Sequence, residues 1–124
     1  MDLHIHLDLV GGIAGDMFIA ALSDAHPDLV DGLLGALTAL GPPSSVTYAL
    51  KACDDGILNG TRFTTAEPQD QSAHTHFHVL CERIRASKLS RPIASRAIDI
   101  FTLLGEAESR VHGVSLDNVD LHEV

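Results

Sequence analysis

The sequence contains no tryptophan, one tyrosine and only two cysteines, Cys53 and Cys81, in 124 residues. Two cysteines are too few for the disulfide framework of a small secreted domain, so we expect reduced thiols in a reducing compartment. No apolar run approaches the roughly 20 residues that cross a bilayer, and the N-terminus lacks the basic and apolar segments of an export signal. These absences favour a soluble protein and make the cytoplasm the default location.

Basic residues are also scarce, because eight Lys and Arg stand against 17 Asp and Glu and give a formal net charge of −9. This charge repels a phosphate backbone, so nucleic acid and anionic membranes are disfavoured as partners. Eight histidines point instead to cations, since neutral imidazole is a common ligand of late first-row metals. The length is that of one domain, residues 1–124, and the sequence leaves a homo-oligomer open.

The first half of the chain reads as one strand, two helices and a hairpin. "LHIHLDLV" alternates like a strand and runs into the glycine loop "GGIAGDM", after which "MFIAALSDA" is helical in character. Asp28 is a candidate cap for a second helix that Gly41 ends. "SSVTYALKAC" and "GILNGTRFTTAE" then predict two strands joined around "DDG", and residues 67–75 read as a polar loop.

The second half predicts two helices and a final strand. One face of a short helix is formed by Phe77, Leu80, Cys81 and Ile84. A longer helix has Ser90 as candidate cap, Pro92 in its first turn and Gly113 at its end, with a continuous apolar stripe of Ile93, Ala97, Ile100, Leu104, Ala107 and Val111. With "VDLHEV" as a last strand, the order predicts an α+β fold in which helices pack on one face of a mostly antiparallel sheet. A ferredoxin-like split βαβ arrangement is a further refinement that fits this order.

The densest chemical signal is "HTHFH", which places His74, His76 and His78 at alternate positions. In a strand the three imidazoles point to one side and make a three-nitrogen metal face. In a helix His74 and His78 share one flank with Glu82, whereas His76 lies apart. The alternative is that these are surface histidines in a polar loop.

The glycine loop could bring backbone N–H groups close to an anion at the start of a helix, through Gly11, Gly12 and Gly15. It matches no nucleotide-binding fingerprint, however, and Asp16 places a negative charge where a phosphate would lie unless a cation bridges the two. By itself such a loop is an ordinary tight turn. His112 is isolated in the sequence, and so is the pair His122 and Glu123. Each of them by itself is interpreted as a solvated or capping residue.

Four segments together carry a resemblance to a known family. They are "LDLVGGIAGDMFIAALSDA", the histidine segment, "IFTLLGEAESRVHG" and the closing "VDLHEV". In order and spacing they resemble the N-terminal part of the LarC family of nickel-insertion proteins. The family's D-x-x-x-G-I-[SA]-G-D-M opening falls on the stretch from Asp8 to Met17, and its A-E-A-x-V-H-G segment falls on residues 106–113. The chain has Asp120 where the family commonly has histidine.

The resemblance implies a place in the biosynthesis of the nickel pincer cofactor used by lactate racemase and related enzymes. Nickel is inserted into pyridinium-3,5-bisthiocarboxylic acid mononucleotide, with CTP consumed and manganese or magnesium assisting. Such a protein is a nickel chelatase, or cyclometallase, of the lyase class. The family continues past H-E-V into G-A-x-D-S and towards a CTP-binding C-terminal domain, so the resemblance implies that this chain is an N-terminal part, inactive without that domain or a partner polypeptide that supplies it.

The resemblance also implies roles for particular residues. His74, His76 and His78 would collect nickel and present it for insertion. Asp8 and Asp16, with Gly12 and Gly15 between them, would hold a divalent cation that neutralises the substrate phosphate or carboxylates. Formation of a nickel–carbon bond requires loss of a ring proton, and the candidate bases are His112, His122 and Glu123.

Two other functions compete with this interpretation. "HIHLD" resembles the H-x-H metal pair, here His4 and His6, on the first strand of amidohydrolase and TatD-type barrels, although such barrels need about 200 residues to close. A non-enzymatic nickel-binding module would differ only by lacking the substrate site, so mononucleotide binding would distinguish the two.

Overall fold

The computed structural model describes residues 4–42, 45–66 and 75–121. Its α-helices are α1 (Gly15–Ala25), α2 (Val30–Leu40), α3 (Phe77–Ala86) and α4 (Arg91–His112), and its strands are β1 (Thr47–Asp54), β2 (Asn59–Ala66), β3 (Thr75–His76) and β4 (Asp120–Leu121). Short 3-10 turns lie at Pro27–Leu29 and Leu116–Asn118. The predicted α+β class is confirmed, as are the hairpin and both helices of the second half. No helix within the described ranges has the length and apolar character to span a membrane.

The predicted first strand is absent, which is the main correction to the sequence analysis. Residues 4–13 form no strand, and Ile5, Leu7 and Leu9 remain between 44 and 51 % exposed. Alternation predicts two faces, but a strand also requires a neighbour for its backbone hydrogen bonds, and residues 4–13 pair with none of the described strands. The described strands form two separate antiparallel pairs, β1–β2 and β3–β4, so the single sheet of a ferredoxin-like split βαβ fold is not formed. The amidohydrolase interpretation is not supported either, because that barrel is built of parallel strands and both strand pairs of the described residues are antiparallel.

Helix α1 packs on the β1–β2 hairpin and forms a small apolar centre. Phe63 on β2 is buried together with Ala20 and Ser23 of α1, and the ring of Tyr48 stacks on Phe63 with centroids 6.2 Å apart. The Thr61 hydroxyl donates to Asp24 Oδ1 at 2.6 Å and ties the two elements together at their edge. A lone hairpin is marginal in water, so its packing against α1 is what stabilises it.

The hairpin turns through Asp55, whose carboxylate accepts hydrogen bonds from the backbone N–H groups of Ile57 and Leu58 at 2.9 and 2.8 Å. These two donors favour the charged form and hold the pKa of Asp55 below its usual value of 3.8. The "DDG" signal therefore marks the turn correctly, and the strands pair from Thr47 with Ala66 to Asp54 with Asn59.

The larger core lies between α3, α4 and the β3–β4 pair. Its buried residues are Phe77, Leu80, Cys81, Ile84, Val119 and Leu121. Gly105 lets α4 approach this core, since a Cβ there would lie 2.7 Å from Leu116 Cδ1 and 3.1 Å from Phe77 Cδ2. The four apolar residues predicted to line one face of α3 are all buried, as the helical spacing requires.

The helix ends follow the sequence signals only in part. Ser90 precedes α4 with extended backbone and Pro92 lies in the first turn, but no Ser90 side-chain hydrogen bond caps the helix. Asp28 lies in the 3-10 turn before α2 and does not cap it either. Gly41 and Gly113 end their helices in the left-handed conformation, which glycine adopts without a steric penalty.

Candidate metal centre at the start of helix α3

The β3–β4 pair brings two distant segments of the chain together. Thr75 lies opposite Leu121 and His76 opposite Asp120, and the Phe77 N–H donates to the Val119 carbonyl at 3.0 Å. Val119 and Leu121 are buried on either side of Asp120. Because side chains alternate across a strand, the burial of both neighbours turns Asp120 outward, onto the side of His76.

His76 and Asp120 form a short polar contact across the β3–β4 pair. His76 Nδ1 lies 2.7 Å from Asp120 Oδ1, with side-chain exposures of 53 % and 42 %. When the carboxylate accepts the Nδ1–H, the lone pair of the neutral ring resides on Nε2. Metal-binding histidines commonly use this carboxylate–imidazole arrangement, which fixes the ring and raises its basicity. His76 is therefore prepared to offer Nε2 to a metal ion.

His78 stands beside His76 although the two belong to different elements. His76 is the extended residue before α3, and His78 is the second residue of the helix. Their rings stack with centroids 5.7 Å apart and an interplanar angle of 16°. His78 Nδ1 lies 3.4 Å from the Asp117 carbonyl oxygen, so its Nε2 too can remain available. The two rings thus remain side by side although the chain changes from strand to helix at residue 77, whereas residues two apart within one helix do not face each other.

Three of the predicted site residues, His74, His122 and Glu123, lie outside the described residues. Within the described ranges, no three side chains of His, Cys, Asp and Glu come together in a group that could hold a metal ion. The described part of the centre is therefore the histidine pair with Asp120. Thr75 and Leu121 are the other residue pair of the β3–β4 ladder. In the sequence, His74 comes directly before Thr75 and His122 directly after Leu121.

The glycine loop is open and exposed. Gly12 has φ +94° in a turn closed by its N–H donating to the Leu9 carbonyl at 3.0 Å, whereas Gly15 begins α1 with open space around it. Asp16 lies in the first helical turn, and its carboxylate accepts the Met17 N–H at 2.8 Å. A negative charge at a helix N-terminus is favourable by itself, so this placement of Asp16 has a structural explanation. Asp8 is exposed on the other side of the turn.

His112 has a local partner. Its Nε2 lies 3.0 Å from Glu108 Oε2, one turn earlier in α4, and its side chain is 62 % exposed. Protonated histidine in the last turn also interacts favourably with the helix dipole. The structure therefore gives His112 a pairing within its own helix and no contact with the His76–Asp120 pair.

Asp120 is the functional candidate that the sequence interpretation missed. It was noted only as a departure from the family pattern. The signal was present in "VDLHEV", where a charged residue between two apolar ones must point away from the core. What the sequence could not supply was the partner, because the pairing of β3 with β4 joins residues 44 positions apart.

Known proteins resemble this chain over nearly its whole length. The profile of the family described as nickel insertion protein matches residues 5–124. A pyridinium-3,5-bisthiocarboxylic acid mononucleotide nickel insertion protein of Akkermansia muciniphila is 36 % identical over 94 % of this chain and 30 % of its own length. The protein of the same name from Geobacillus kaustophilus is 32 % identical over 97 % of this chain and 31 % of its own length.

The chain thus spans about 30 % of the length of the curated relatives it matches. No solved structure matches it significantly.

Proposed function

The chain belongs to the nickel insertion protein family, and from this premise we propose that it supplies the part of such a protein that receives nickel for insertion into a pyridinium-3,5-bisthiocarboxylic acid mononucleotide. Nickel is here a substrate. The reaction needs the metal, the organic substrate and the catalytic groups in one oriented site, and positioning of this kind accounts for a large share of catalysis.

The observation that carries the proposal is the His76–Asp120 contact at 2.7 Å with His78 stacked beside it. Imidazole nitrogen suits nickel, and affinity for such sites rises from manganese to nickel along the first-row series. Both rings are exposed, so a metal can enter and leave, as a transfer site requires. A purely structural histidine pair would gain little from exposure of both rings.

The neighbours in sequence complete the proposed site. His74, which precedes β3 in the sequence, is proposed as a third nickel ligand. His122 and Glu123, which follow β4, are proposed as candidate bases for removal of the ring proton. His112 is the weaker candidate base, because its imidazole already pairs with the Glu108 carboxylate. Asp8 and Asp16, with Gly12 and Gly15, are proposed to serve the substrate end through a divalent cation. We assign the binding of CTP, with manganese or magnesium, to the part of the family's polypeptide that this chain does not match.

Calorimetry at pH 7.5 tests the proposal on the 124-residue chain. Nickel should bind at least tenfold more tightly than magnesium, and binding should weaken markedly at pH 5.5 because protons compete for imidazole. Equal affinity for the two metals, or binding unchanged at pH 5.5, would point to carboxylates and reject the histidine site.

A second experiment separates metal reception from catalysis. The chain mixed with the mononucleotide, nickel and CTP should give no cofactor absorbance, because the oriented site is incomplete. Cofactor formed by the chain alone would show that no further polypeptide is required. Mononucleotide binding by a full-length relative, measured in parallel, distinguishes a nickel insertion protein from a nickel-binding module without a substrate site.

A further inference from the structure

Residues 114–121 follow α4 and form a clasp over the start of α3. The carboxylate of Asp120 lies 2.7 Å from His76 Nδ1, and the Val119 carbonyl accepts the Phe77 N–H at 3.0 Å. Both contacts join segments that are distant in the sequence. The clasp therefore fixes the ring of His76 and the path by which the chain enters α3.

The clasp also contacts the second imidazole of the pair. His78 Nδ1 lies 3.4 Å from the carbonyl oxygen of Asp117, in the 3-10 turn of the clasp. A hydrogen bond through Nδ1 leaves Nε2 with the lone pair that a metal needs. Both histidines of the proposed nickel site thus have a polar partner on the clasp.

Apolar side chains attach the clasp to the core. Val119 is 3 % exposed, Leu121 is fully buried, and Leu116 packs against the same core. Gly105 of α4 leaves the space that Leu116 occupies, because a Cβ there would lie 2.7 Å from Leu116 Cδ1. Burial of apolar surface is therefore the main force that docks the clasp.

The clasp is tied to the end of α4. Gly113 ends the helix with φ +65° and turns the chain, as left-handed glycine commonly does. The Val114 N–H donates to the Ser109 carbonyl at 3.2 Å, and the Ser109 hydroxyl donates to the Val114 carbonyl at 2.6 Å. A clasp that undocks therefore stays tethered beside the histidine pair, so docking is an intramolecular step.

We propose that the docked clasp positions His76 and His78 for nickel, so that the chain binds nickel tightly only while the clasp is docked. This inference rests on the proposed function of the histidine pair. Val119 and Leu121 then act as positioning residues, through the contacts of the clasp with the two rings. Because linkage is reciprocal, nickel also stabilises the docked clasp by the factor by which docking raises nickel affinity. Undocking weakens the hold on nickel, which transfer of the metal to a substrate requires.

Hydrogen–deuterium exchange of the wild-type chain, read by mass spectrometry with and without nickel, tests the reciprocal effect. At a nickel concentration about ten times the dissociation constant, exchange in residues 114–121 should slow by about tenfold, because nickel binds only the docked state. Peptides of the β1–β2 hairpin should exchange at an unchanged rate. Equal slowing in both regions, or in neither, would overturn the inference.

Nickel calorimetry of the double variant Val119→Ser with Leu121→Ser tests the positioning effect. Both substitutions are neutral, so they weaken docking without changing the charge near the metal, and the nickel dissociation constant should rise by about tenfold or more. Phe63→Ser, which places the same hydroxyl in the apolar centre between α1 and the hairpin, is the matched control and should leave the constant unchanged. Circular dichroism checks that each variant retains its helices.

The outcomes separate this inference from the proposed function. A folded double variant that binds nickel as tightly as the wild type would overturn the role of the clasp and leave the histidine site in place. A wild-type chain that binds no nickel would overturn the proposed function, and the inference with it. If the double variant loses its helices, the exchange measurement on the wild-type chain decides.

Discussion

At the scale of single residues, the proposed nickel site gives Asp120 a role through His76 and not as a direct ligand of the metal. The carboxylate accepts the Nδ1–H and so fixes which nitrogen carries the lone pair. This makes Asp120 a positioning residue, whose removal should weaken binding without removing a ligand. The distinction can be measured.

The variant Asp120→Asn keeps an acceptor beside His76 but loses the charge. Nickel affinity should fall about 10- to 100-fold, the range found when a carboxylate behind a metal-binding histidine is replaced. Glu108→Gln, which alters the partner of His112, serves as the control and should leave nickel affinity unchanged. Unaltered affinity in Asp120→Asn would mean that the hydrogen bond has no influence on the metal.

The two cysteines should differ sharply in reactivity. Cys53 is exposed, whereas Cys81 is 2 % exposed and its burial raises the pKa of the thiol. The thiolate is the reactive form, so Cys81 should be inert in the folded protein. Titration with a disulfide reagent at pH 7.5 should give one fast thiol in the wild type and none in Cys53→Ser until denaturant is added. Two fast thiols in the wild type would contradict the packing of α3.

The hairpin turn should lose stability in acid through Asp55. Its pKa is lowered in the folded state by the N–H groups of Leu58 and Ile57, so its contribution is present above the usual value of 3.8 and is lost as the pH falls through the lower folded value. Denaturant unfolding below pH 4 should therefore show a pH dependence that Asp55→Asn reduces. Asp28→Asn controls for the loss of one negative charge, and an equal effect of both variants would argue against a role for the turn.

At the scale of elements, the fit between α4 and the core depends on Gly105. Gly105→Val should destabilise the chain by about 1–3 kcal/mol, the usual cost of overpacking, because its side chain would enter the space of Phe77 and Leu116. Gly35→Ala, in the open middle of α2, should stabilise by roughly 0.5–1 kcal/mol through helix propensity. Thermal unfolding compares the two. A neutral Gly105→Val would mean that α4 does not pack closely there.

Elements with local signals were predictable from the sequence, and elements with distant partners were not. The face of α3 follows from the spacing of Phe77, Leu80, Cys81 and Ile84, and the stop of α4 follows from Gly113. The strand predicted for "LHIHLDLV" is not formed over its described residues 4–10, because alternation indicates a segment with two faces and says nothing of the strand that must pair with it.

The apolar stripe predicted along α4 is divided for a related reason. Ala97 and Leu104 pack on the core, whereas Ile93, Ile100 and Val111 are about half exposed or more. Periodicity locates an apolar face but does not reveal what covers it.

In the glycine loop, too, the sequence pattern does not reveal which glycine needs an unusual backbone conformation. The sequence left open whether Gly15 needs a left-handed backbone or close approach, and the structure gives it neither. Gly11 and Gly12, with φ +85° and +94°, are the positions that require a left-handed backbone. Gly12→Ala should cost on the order of 1 kcal/mol, whereas Gly15→Ala should be neutral or slightly stabilising, as measured by denaturant midpoints.

At the scale of the whole molecule, the proposed route of nickel into this chain is the histidine pair at the start of α3. Two exposed imidazoles from one short stretch can bind a metal without the rest of a family member, which is why the claim can be tested on 124 residues. The acidic surface attracts cations in general, so the test must separate specific ligation from net charge.

The most direct measurement is nickel retained after gel filtration by the double variant His76→Ala with His78→Ala. This variant should lose most of the bound nickel, whereas Asp16→Asn, which removes a negative charge but no imidazole, should retain it at the wild-type level. Circular dichroism establishes that the double variant remains folded. Nickel retained by that variant at the wild-type level would contradict the account, because the metal would then be held by other residues.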